Sequence, residues 1–289
     1  MARTYPWKVS DELWERIEPL IPPRPPRPKG GRPPADDREM FAAMVYVLRT
    51  GIQWNALPRE LGASSTVYDR FRLWESQGVF QRLWQAGLAE YDELAGIGWD
   101  WQSVDSSTVK APYAVAAVGP APTDRGKQGT KRSLLCDRQG IPLALVIEGA
   151  NRHDMKLVTA TLQAQVYERP EPTMDQPQNL CLDAGYDYED VYAELYEQGY
   201  EPHIRLNPHF HAWYFEALKQ QKPLEEAANA LEPIKQPRRW VVERLFSWLN
   251  RWRRLLIRWE KLDAPYHGFL QLACALICFQ HCDHLPVFG

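Results

Sequence analysis

Apolar positions in the first twenty residues recur at three- and four-residue intervals, which is the spacing of one face of a helix. Leu13, Ile17 and Leu20 share that face, and Ser10, just before it, is a favoured N-cap residue. A helix is therefore predicted from Asp11 to Leu20. The proline-rich stretch 22–34 that follows cannot lie inside a helix or a sheet, so we predict an extended arm or linker there.

The helical spacing returns over residues 37–49, and Gly51 is placed to end that second helix. A short helix is predicted near 58–61, followed by a turn at Gly62 and an amphipathic helix over 65–76. A short helix, a tight turn and a second helix together suggest a helix-turn-helix. A generic three-helix packing unit is the alternative.

From Trp99 onward the pattern changes to short apolar runs separated by turn residues, which is typical of strands. Strands are predicted over 102–105, 131–137, 141–148, 179–183 and 202–206, with helices over 154–167 and 188–197. The turn Arg138-Gln139-Gly140 joins the second and third strands into a hairpin. An antiparallel start followed by alternating helices and strands indicates a mixed sheet with helices on its faces.

We therefore predict an α/β protein with two domains. Residues 96–289 form a ribonuclease H-like mixed five-stranded sheet with flanking helices, carrying a polar insert at about 207–237. Residues 1–95 form a small all-helical domain with the helix-turn-helix and the 22–34 arm.

Composition places the chain among ordinary soluble proteins, with 289 residues, 45% hydrophobic and 25% charged. It contains no run of eighteen apolar residues and no apolar stretch near Met1, so we expect a cytoplasmic protein without a membrane partner. The net charge of −3 hides a segregation, because basic residues concentrate in 22–34 and 235–261 and acids in 171–201. That distribution suits a protein that holds both DNA and divalent metals, although a solvated charged face explains each run separately.

Three acidic residues stand where such chemistry would need them. Asp105 is predicted to end the first strand and Asp183 the fourth, so both can point into one crevice at the edge of the sheet. Glu243 is an acid within an arginine- and tryptophan-rich helix. Magnesium prefers hard oxygen ligands, and two ions about 3.5–4 Å apart can activate an attacking oxygen and stabilise a leaving one in phosphoryl transfer. Singly, each acid is more often a turn, capping or salt-bridged residue.

Several segments of the chain resemble those of one protein family. They are Thr123–Ser133, Gly149–Asp154, Leu182–Asp187, Arg238–Arg244, the Leu13-Trp14-Glu15-Arg16 helix and the Gly51-Ile52-Gln53-Trp54 turn. Together they resemble the insertion-sequence transposases of the insertion-sequence-five group, within the insertion-sequence-four superfamily. The resemblance spans almost the whole chain.

The resemblance implies a DDE transposase with Asp105, Asp183 and Glu243 as catalytic and metal-holding residues, and two Mg²⁺ ions for which Mn²⁺ substitutes. It also implies binding to double-stranded DNA, cleavage at the terminal inverted repeats, and attack of the freed 3′-hydroxyl on target DNA. Arg239 matches the arginine four residues before the family's glutamate. The signature's tyrosine and lysine positions hold Gln236 and Asn250 instead, and Arg251 or Arg253 are candidates for the lysine's charge.

Further basic and aromatic residues are predicted to contact DNA. They are Lys127, Lys131 and Arg132 before and within the second strand, Tyr68, Arg70 and Arg72 on the predicted helix over 65–76, and Arg32 in an arm that could enter a narrow minor groove. A solvated loop and a plain linker are the alternatives for the first group and for Arg32. Transposition joins two DNA ends, so we expect a homodimer on DNA. A DNA-binding regulator derived from a transposase and a nuclease of the same fold are the competing functions.

Overall fold

The computed structural model of the protein describes residues 8–24, 33–207, 209–211 and 239–282. Most of the 22–34 arm, including Arg32, and nearly all of the 207–237 insert lie outside the described residues. The predictions made for them stay predictions.

Helices fill the described part of the chain before residue 96. They are α1 (Asp11–Ile17), α2 (Asp37–Thr50), α3 (Ser64–Ser76) and α4 (Val79–Ala95). The Ser10 hydroxyl accepts the Leu13 N–H at 3.1 Å and so caps α1, as predicted. Gly51 ends α2 in the left-handed region at φ 73°. The short helix predicted between α2 and α3 is a single 3₁₀ turn, Arg59–Leu61.

One mixed sheet forms the second half of the fold. Its strands are β1 (Trp101–Lys110), β2 (Gly119–Pro120), β3 (Gln128–Cys136), β4 (Pro142–Gly149), β5 (Gln178–Leu182) and β6 (Tyr200–Ile204). The spatial order is β4-β3-β1-β5-β6, with β2 added beside the start of β3. The pairs among β1, β3 and β4 are antiparallel, whereas β5 and β6 run parallel to β1. This is the ribonuclease H-like arrangement, and the predicted fold class is confirmed. The sheet has six strands instead of the predicted five, because the two-residue strand β2 pairs with the start of β3.

The first strand is longer than predicted, and Asp105 lies in its middle. On one side β1 pairs with β3 as far as Lys110, opposite Gly129. On the other side its parallel pairing with β5 stops at Ser103, opposite Cys181. The prediction that Asp105 ends the strand was wrong, because backbone pairing to β3 extends the strand through a polar run. Asp105 nevertheless lies just past the last residue that β5 covers.

The predicted hairpin between β3 and β4 is confirmed, and a buried carboxylate closes it. Asp137 Oδ1 accepts the N–H groups of Gln139 and Ile141 at 2.9 and 2.8 Å. Its Oδ2 accepts the N–H of Gly98 at 3.0 Å. Three backbone donors satisfy an acid that is fully buried, so the turn and the entry to β1 are held together.

Helices cover the sheet on its faces: α5 (Val158–Gln163), α6 (Glu189–Glu197), α7 (Trp240–Asn250) and α8 (Asp263–His281). The helix predicted over 154–167 is shorter than expected, because it opens with a 3₁₀ turn at Asp154–Leu157. Gln165, within the predicted helix, instead forms a β-bridge with Ala144 of β4. No helix in the described ranges is long and apolar enough to span a membrane.

The last helix joins the two halves of the molecule into one apolar core. Fourteen residues of α8 are buried, and the helix packs against α4, α3 and β4. The core cluster is continuous from Leu13 of α1 to Cys282. The predicted boundary between residues 95 and 96 coincides with the end of α4 and stays a prediction.

Close packing of α4 on α8 depends on a glycine. A Cβ at Gly87 would lie 3.0 Å from Cys278 Cβ and 3.3 Å from the carbonyl oxygen of Ala275. We expect Gly87→Val to lower the free energy of unfolding by about 1–3 kcal/mol, because the helices must separate. The measurement is urea denaturation, with Ala89→Val on the exposed side of α4 as the control. Equal losses in the two variants would mean that close helix contact at Gly87 is unimportant.

Candidate active site

The sheet register places two of the predicted acids level with each other. Ser103 of β1 is the parallel partner of Cys181 in β5. Asp105 lies two residues after Ser103, and Asp183 lies two residues after Cys181, directly after β5 ends. The two carboxylates are close enough for the charge of Asp183 to disfavour ionisation of Asp105. Asp105 and Asp183 therefore share one site, at the edge where β5 stops and β1 continues.

Asp105 is the strongly perturbed member of the pair. Burial raises the pKa of its carboxyl from 3.8 to about 6, and the negative charges of Asp183 and Asp154 add to that increase. The backbone N–H of Ser106 donates to Asp105 Oδ1 at 2.7 Å and, with the charge of Arg239, acts in the opposite direction. A cation close to this carboxyl would stabilise its ionised form.

Arg239 connects the second and third acids. It precedes α7, and its Nη2 donates to Glu243 Oε1 at 2.7 Å, one helical turn ahead. Its Nη1 lies 3.4 Å from Asp183 Oδ2. Asp183 Oδ1 accepts the N–H of Gly185 at 2.7 Å, so this carboxylate is fixed by its own turn. The guanidinium thus brings Glu243 to the site that Asp105 and Asp183 form.

The donor set fits a divalent cation in part. Asp105, Asp183 and Glu243 offer only carboxylate oxygens, which are the ligands that magnesium and manganese take. In the described part of the chain, however, no three or more His, Cys, Asp or Glu residues are grouped closely enough to hold a metal ion. At this site Arg239 pairs with both Asp183 and Glu243. Asp105 and Asp183 supply carboxylate oxygens of the kind that a divalent cation takes, and Glu243 would join them after leaving Arg239.

Two of the basic residues predicted to bind DNA are buried within the sheet. Lys131 is 8% exposed, and its ammonium donates to Asp154 Oδ1 and to the Arg152 carbonyl oxygen, each at 2.6 Å. Arg132 is 2% exposed and donates to Ser107 Oγ at 2.9 Å. Both contact groups inside the protein, whereas Lys127, directly before β3, is exposed. Their assignment to DNA stays a prediction.

Arg132 lies beside Asn250, which occupies the position of the family's signature lysine. Its Nη2 lies 3.4 Å from Asn250 Oδ1, and its guanidinium packs over the Phe246 ring. A buried arginine from β3 therefore contacts the position of the signature lysine. Arg251 and Arg253, the candidates from sequence, are both exposed.

The predicted DNA-facing residues of α3 have divergent environments. Arg70 pairs with Asp37 of α2 and packs over the Trp74 ring. Tyr68 and Arg72 instead line a cavity of about 1100 Å³ between α3 and residues 254–265. Its wall includes the Trp54 ring, 5.3 Å from that of Tyr68. The cavity is separate from the three acids, since none of them lines it.

Sequence reasoning missed a fourth acid beside the site. Asp154 precedes the shortened helix, and the Ser106 hydroxyl donates to its Oδ1. The available signal was the resemblance of Gly149–Asp154 to a family segment, in which Asp154 had been assigned no chemical role. Its proximity to Asp105 depends on the pairing of β1 with β3 and of β3 with β4, which no local sequence pattern shows.

Comparison with known proteins matches both halves of the chain to transposase families. Residues 9–84 match the family described as putative transposase of the IS4/5 family. Residues 102–278 match the family described as transposase DDE domain, and this match covers more than half of the chain. The predicted family resemblance is confirmed.

Curated relatives point the same way. The putative transposase for insertion sequence element IS402 of Burkholderia cepacia is 32% identical over 164 residues, 56% of this chain and 68% of the relative. An uncharacterized 16.2 kDa protein of insertion element IS402, from the same organism, is 38% identical over 118 residues, 39% of this chain and 80% of the relative. Among solved structures, the Mos1 mariner paired end complex with Mn aligns over 90% of this chain and 83% of that chain, with 13% identity and a TM-score of 0.28.

Proposed function

The chain belongs to the transposase DDE domain family, and from that premise we propose that it binds the terminal inverted repeats of an insertion sequence, cleaves the DNA there and joins the freed 3′-hydroxyl ends to target DNA. The observation that carries this proposal is the level placement of Asp105 and Asp183 beside Arg239, which also holds Glu243. Family membership implies the use of a divalent metal.

We propose Mg²⁺ as the natural metal, two ions with Mn²⁺ able to replace them, held by Asp105, Asp183 and Glu243. When bound, such ions supply Lewis-acid activation of the attacking oxygen and stabilisation of the leaving one. The protein's own contribution is electrostatic and positional. The Asp105 and Asp183 carboxylates are fixed by the N–H groups of Ser106 and Gly185, so little reorganisation is needed to present them.

Arg239 has a second task in this proposal. Its guanidinium is about one third exposed, and arginine forms paired hydrogen bonds with phosphate oxygens. When Glu243 turns toward the aspartates, the same guanidinium becomes free to bind the phosphate that is cut. Arg239 would thus exchange a carboxylate partner for a DNA phosphate.

DNA contacts away from the cut bond are proposed for Lys127, whose side chain is exposed, and for Tyr68 and Arg72 at the cavity of α3. A homodimer on DNA is proposed because two element ends must be joined in one reaction. The buried positions of Lys131 and Arg132 and the pairing of Arg70 with Asp37 favour structural roles for these three.

The experiment that tests the function uses purified full-length protein, labelled element-end DNA and unlabelled target DNA. With Mg²⁺ we expect nicked or excised ends and products joined to target, and with excess EDTA we expect neither, while binding to end DNA persists. Chelation removes the ions that would activate the attacking oxygen and stabilise the leaving one.

The competing functions give different results in the same assay. Binding without cutting in Mg²⁺ or Mn²⁺ would identify a DNA-binding regulator. Cutting without joined products would identify a nuclease. Cutting that continues in EDTA would remove the divalent metal from the reaction.

A further inference from the structure

An ion pair between the buried Lys131 and the partly exposed Asp154 contacts Ser106, the residue directly after Asp105. Asp154 Oδ1 receives the Lys131 ammonium at 2.6 Å and also the Ser106 hydroxyl. The Lys131 side chain is only 10% exposed, and the Arg152 carbonyl oxygen takes a second of its protons at 2.6 Å. Three segments of the fold, β1, β3 and the turn after β4, therefore meet at one carboxylate oxygen.

Ser106 carries this connection to Asp105. Neighbouring residues of a strand point to opposite faces of the sheet, so the Ser106 hydroxyl and the Asp105 carboxylate leave β1 on different sides. The Ser106 N–H donates to Asp105 Oδ1 at 2.7 Å, and its hydroxyl donates to Asp154. The bond from the Ser106 hydroxyl to Asp154 therefore adds to the β1–β3 pairing in fixing the position of Ser106, whose backbone N–H holds the Asp105 carboxylate.

Stability alone is a weak reason for this arrangement. Burying the Lys131 ammonium costs desolvation free energy that its attraction to the partly exposed Asp154 only partly offsets, and an apolar side chain of similar volume often serves as well. Groups behind a metal ligand, by contrast, fix the orientation of that ligand and affect its affinity for the metal. The contact of the pair with Ser106, directly after Asp105, favours the second explanation.

We propose that Asp154, anchored by Lys131, is a positioning residue that holds Ser106 and thereby presents the Asp105 carboxylate to a divalent cation in one orientation. The proposal rests on the proposed function in one respect, that Asp105 is an acid that holds the cation. Neither Asp154 nor Lys131 touches the reacting DNA in this scheme.

The direct test is Ser106→Ala, measured as DNA cleavage over a series of Mg²⁺ concentrations. We expect the half-maximal Mg²⁺ concentration to rise about tenfold or more, with a much smaller loss of rate at saturating Mg²⁺. Ser106→Thr keeps a hydroxyl and should restore most of the cation dependence. Asp154→Asn and Lys131→Met should raise the half-maximal concentration in the same way.

Ser107→Ala is the matched control. Ser107 lies on the same strand, and its hydroxyl accepts from the buried Arg132 at 2.9 Å. We expect this variant to melt at a lower temperature but to keep the half-maximal Mg²⁺ concentration of the unchanged protein. A purely structural role of Asp154 would make the Ser106 and Ser107 variants behave alike.

A second readout does not depend on cleavage: the rise in melting temperature that Mg²⁺ or Mn²⁺ causes without DNA. That rise should be smaller in Ser106→Ala than in the unchanged protein and should return in Ser106→Thr. If the unchanged protein binds the cation but never cuts DNA, the proposed function fails while the positioning role can still be read from the melting curves.

Three outcomes would overturn the positioning role. The first is unchanged cation dependence in Ser106→Ala and Asp154→Asn. The second is a loss of rate at saturating Mg²⁺ without any change in the half-maximal concentration, which would place Asp154 in direct contact with the DNA chemistry. The third is an unchanged protein that neither cuts DNA nor responds to the cation, which ends both proposals.

Discussion

Asp105→Asn is expected to lower the rate of DNA cleavage by at least about 10²–10³-fold while making the metal-free protein more stable at neutral pH. Asparagine keeps an oxygen that can accept the Ser106 N–H but loses the negative charge that a cation needs. The same loss of cutting is expected for Asp183→Asn and Glu243→Gln, with binding to end DNA retained in all three. Gel-based cleavage and binding assays measure both quantities.

The gain in stability follows from the pKa of Asp105. Its pKa is 3.8 in the unfolded chain and about 6 in the folded one, so the folded state binds the proton more tightly. Ionisation therefore costs stability as pH rises from about 4 to above 6, and the cost is complete at pH 7.5. The difference corresponds to about 3 kcal/mol, which partial exposure of the carboxylate reduces to about 1–2 kcal/mol.

Thermal melting in EDTA tests this prediction at two pH values. Asp105→Asn should melt above the unchanged protein at pH 7.5, and the difference should disappear near pH 4. Asp100→Asn is the control, because Asp100 lies just before the same strand in an exposed pair with Arg138. An Asp105→Asn variant that melts lower than the unchanged protein at pH 7.5 would mean that the carboxylate stabilises the fold, contrary to its raised pKa.

Glu260→Ala is expected to lower the free energy of unfolding by about 3–5 kcal/mol. Glu260 Oε1 accepts both Nε and Nη2 of Arg254, at 2.7 and 2.6 Å, and both side chains are 5% exposed. Arg254 also donates to the Ile52 carbonyl oxygen at 2.9 Å, in the turn after α2. Removing Glu260 leaves a buried guanidinium without its counter-charge at the contact between the helical region and the rest of the protein.

Chemical denaturation of the single and double variants separates charge from packing. Replacing both partners, as Glu260→Leu with Arg254→Met, should recover much of the loss, because neither leaves an unpaired buried charge. Asp100→Ala, which breaks the exposed pair with Arg138, should cost less than about 1 kcal/mol. If Glu260→Ala costs no more than Asp100→Ala, the buried pair contributes nothing to the contact.

Local patterns were sufficient to predict the order of elements but not the length of β1. Val104 is the last apolar residue before Asp105, and the residues after Asp105 are serine, serine and threonine. They are in a strand because β3 pairs with their backbone, and that pairing is a tertiary effect which side-chain polarity does not reveal. The strand before Asp183 ends at Leu182, one residue before the predicted end, because Gly185 forms a turn that Asp183 itself caps.

In the candidate active site, too, the sequence predicts contacts between residues close in the chain but not contacts between distant ones. The Arg239–Glu243 contact is an i, i+4 pair that sequence spacing makes visible, whereas the contact of Arg239 with Asp183 joins residues far apart in the chain. Lys131 and Arg132 were predicted to contact DNA because they are basic and lie next to the expected metal site. Their partners, Asp154 and Ser107, come from other strands and turns, so no local signal could have indicated them.

The position of α8 in the core has a consequence for synthesis. The apolar faces of α3 and α4 pack against a helix that the ribosome makes roughly 10–40 s after α4 at ordinary translation rates. During that interval the nascent helical segment carries uncovered apolar surface, including Trp84 and Phe80, which are fully buried in the finished protein. Because α8 completes the core, we expect chaperones to bind the growing chain. We also expect products truncated before residue 263 to be degraded.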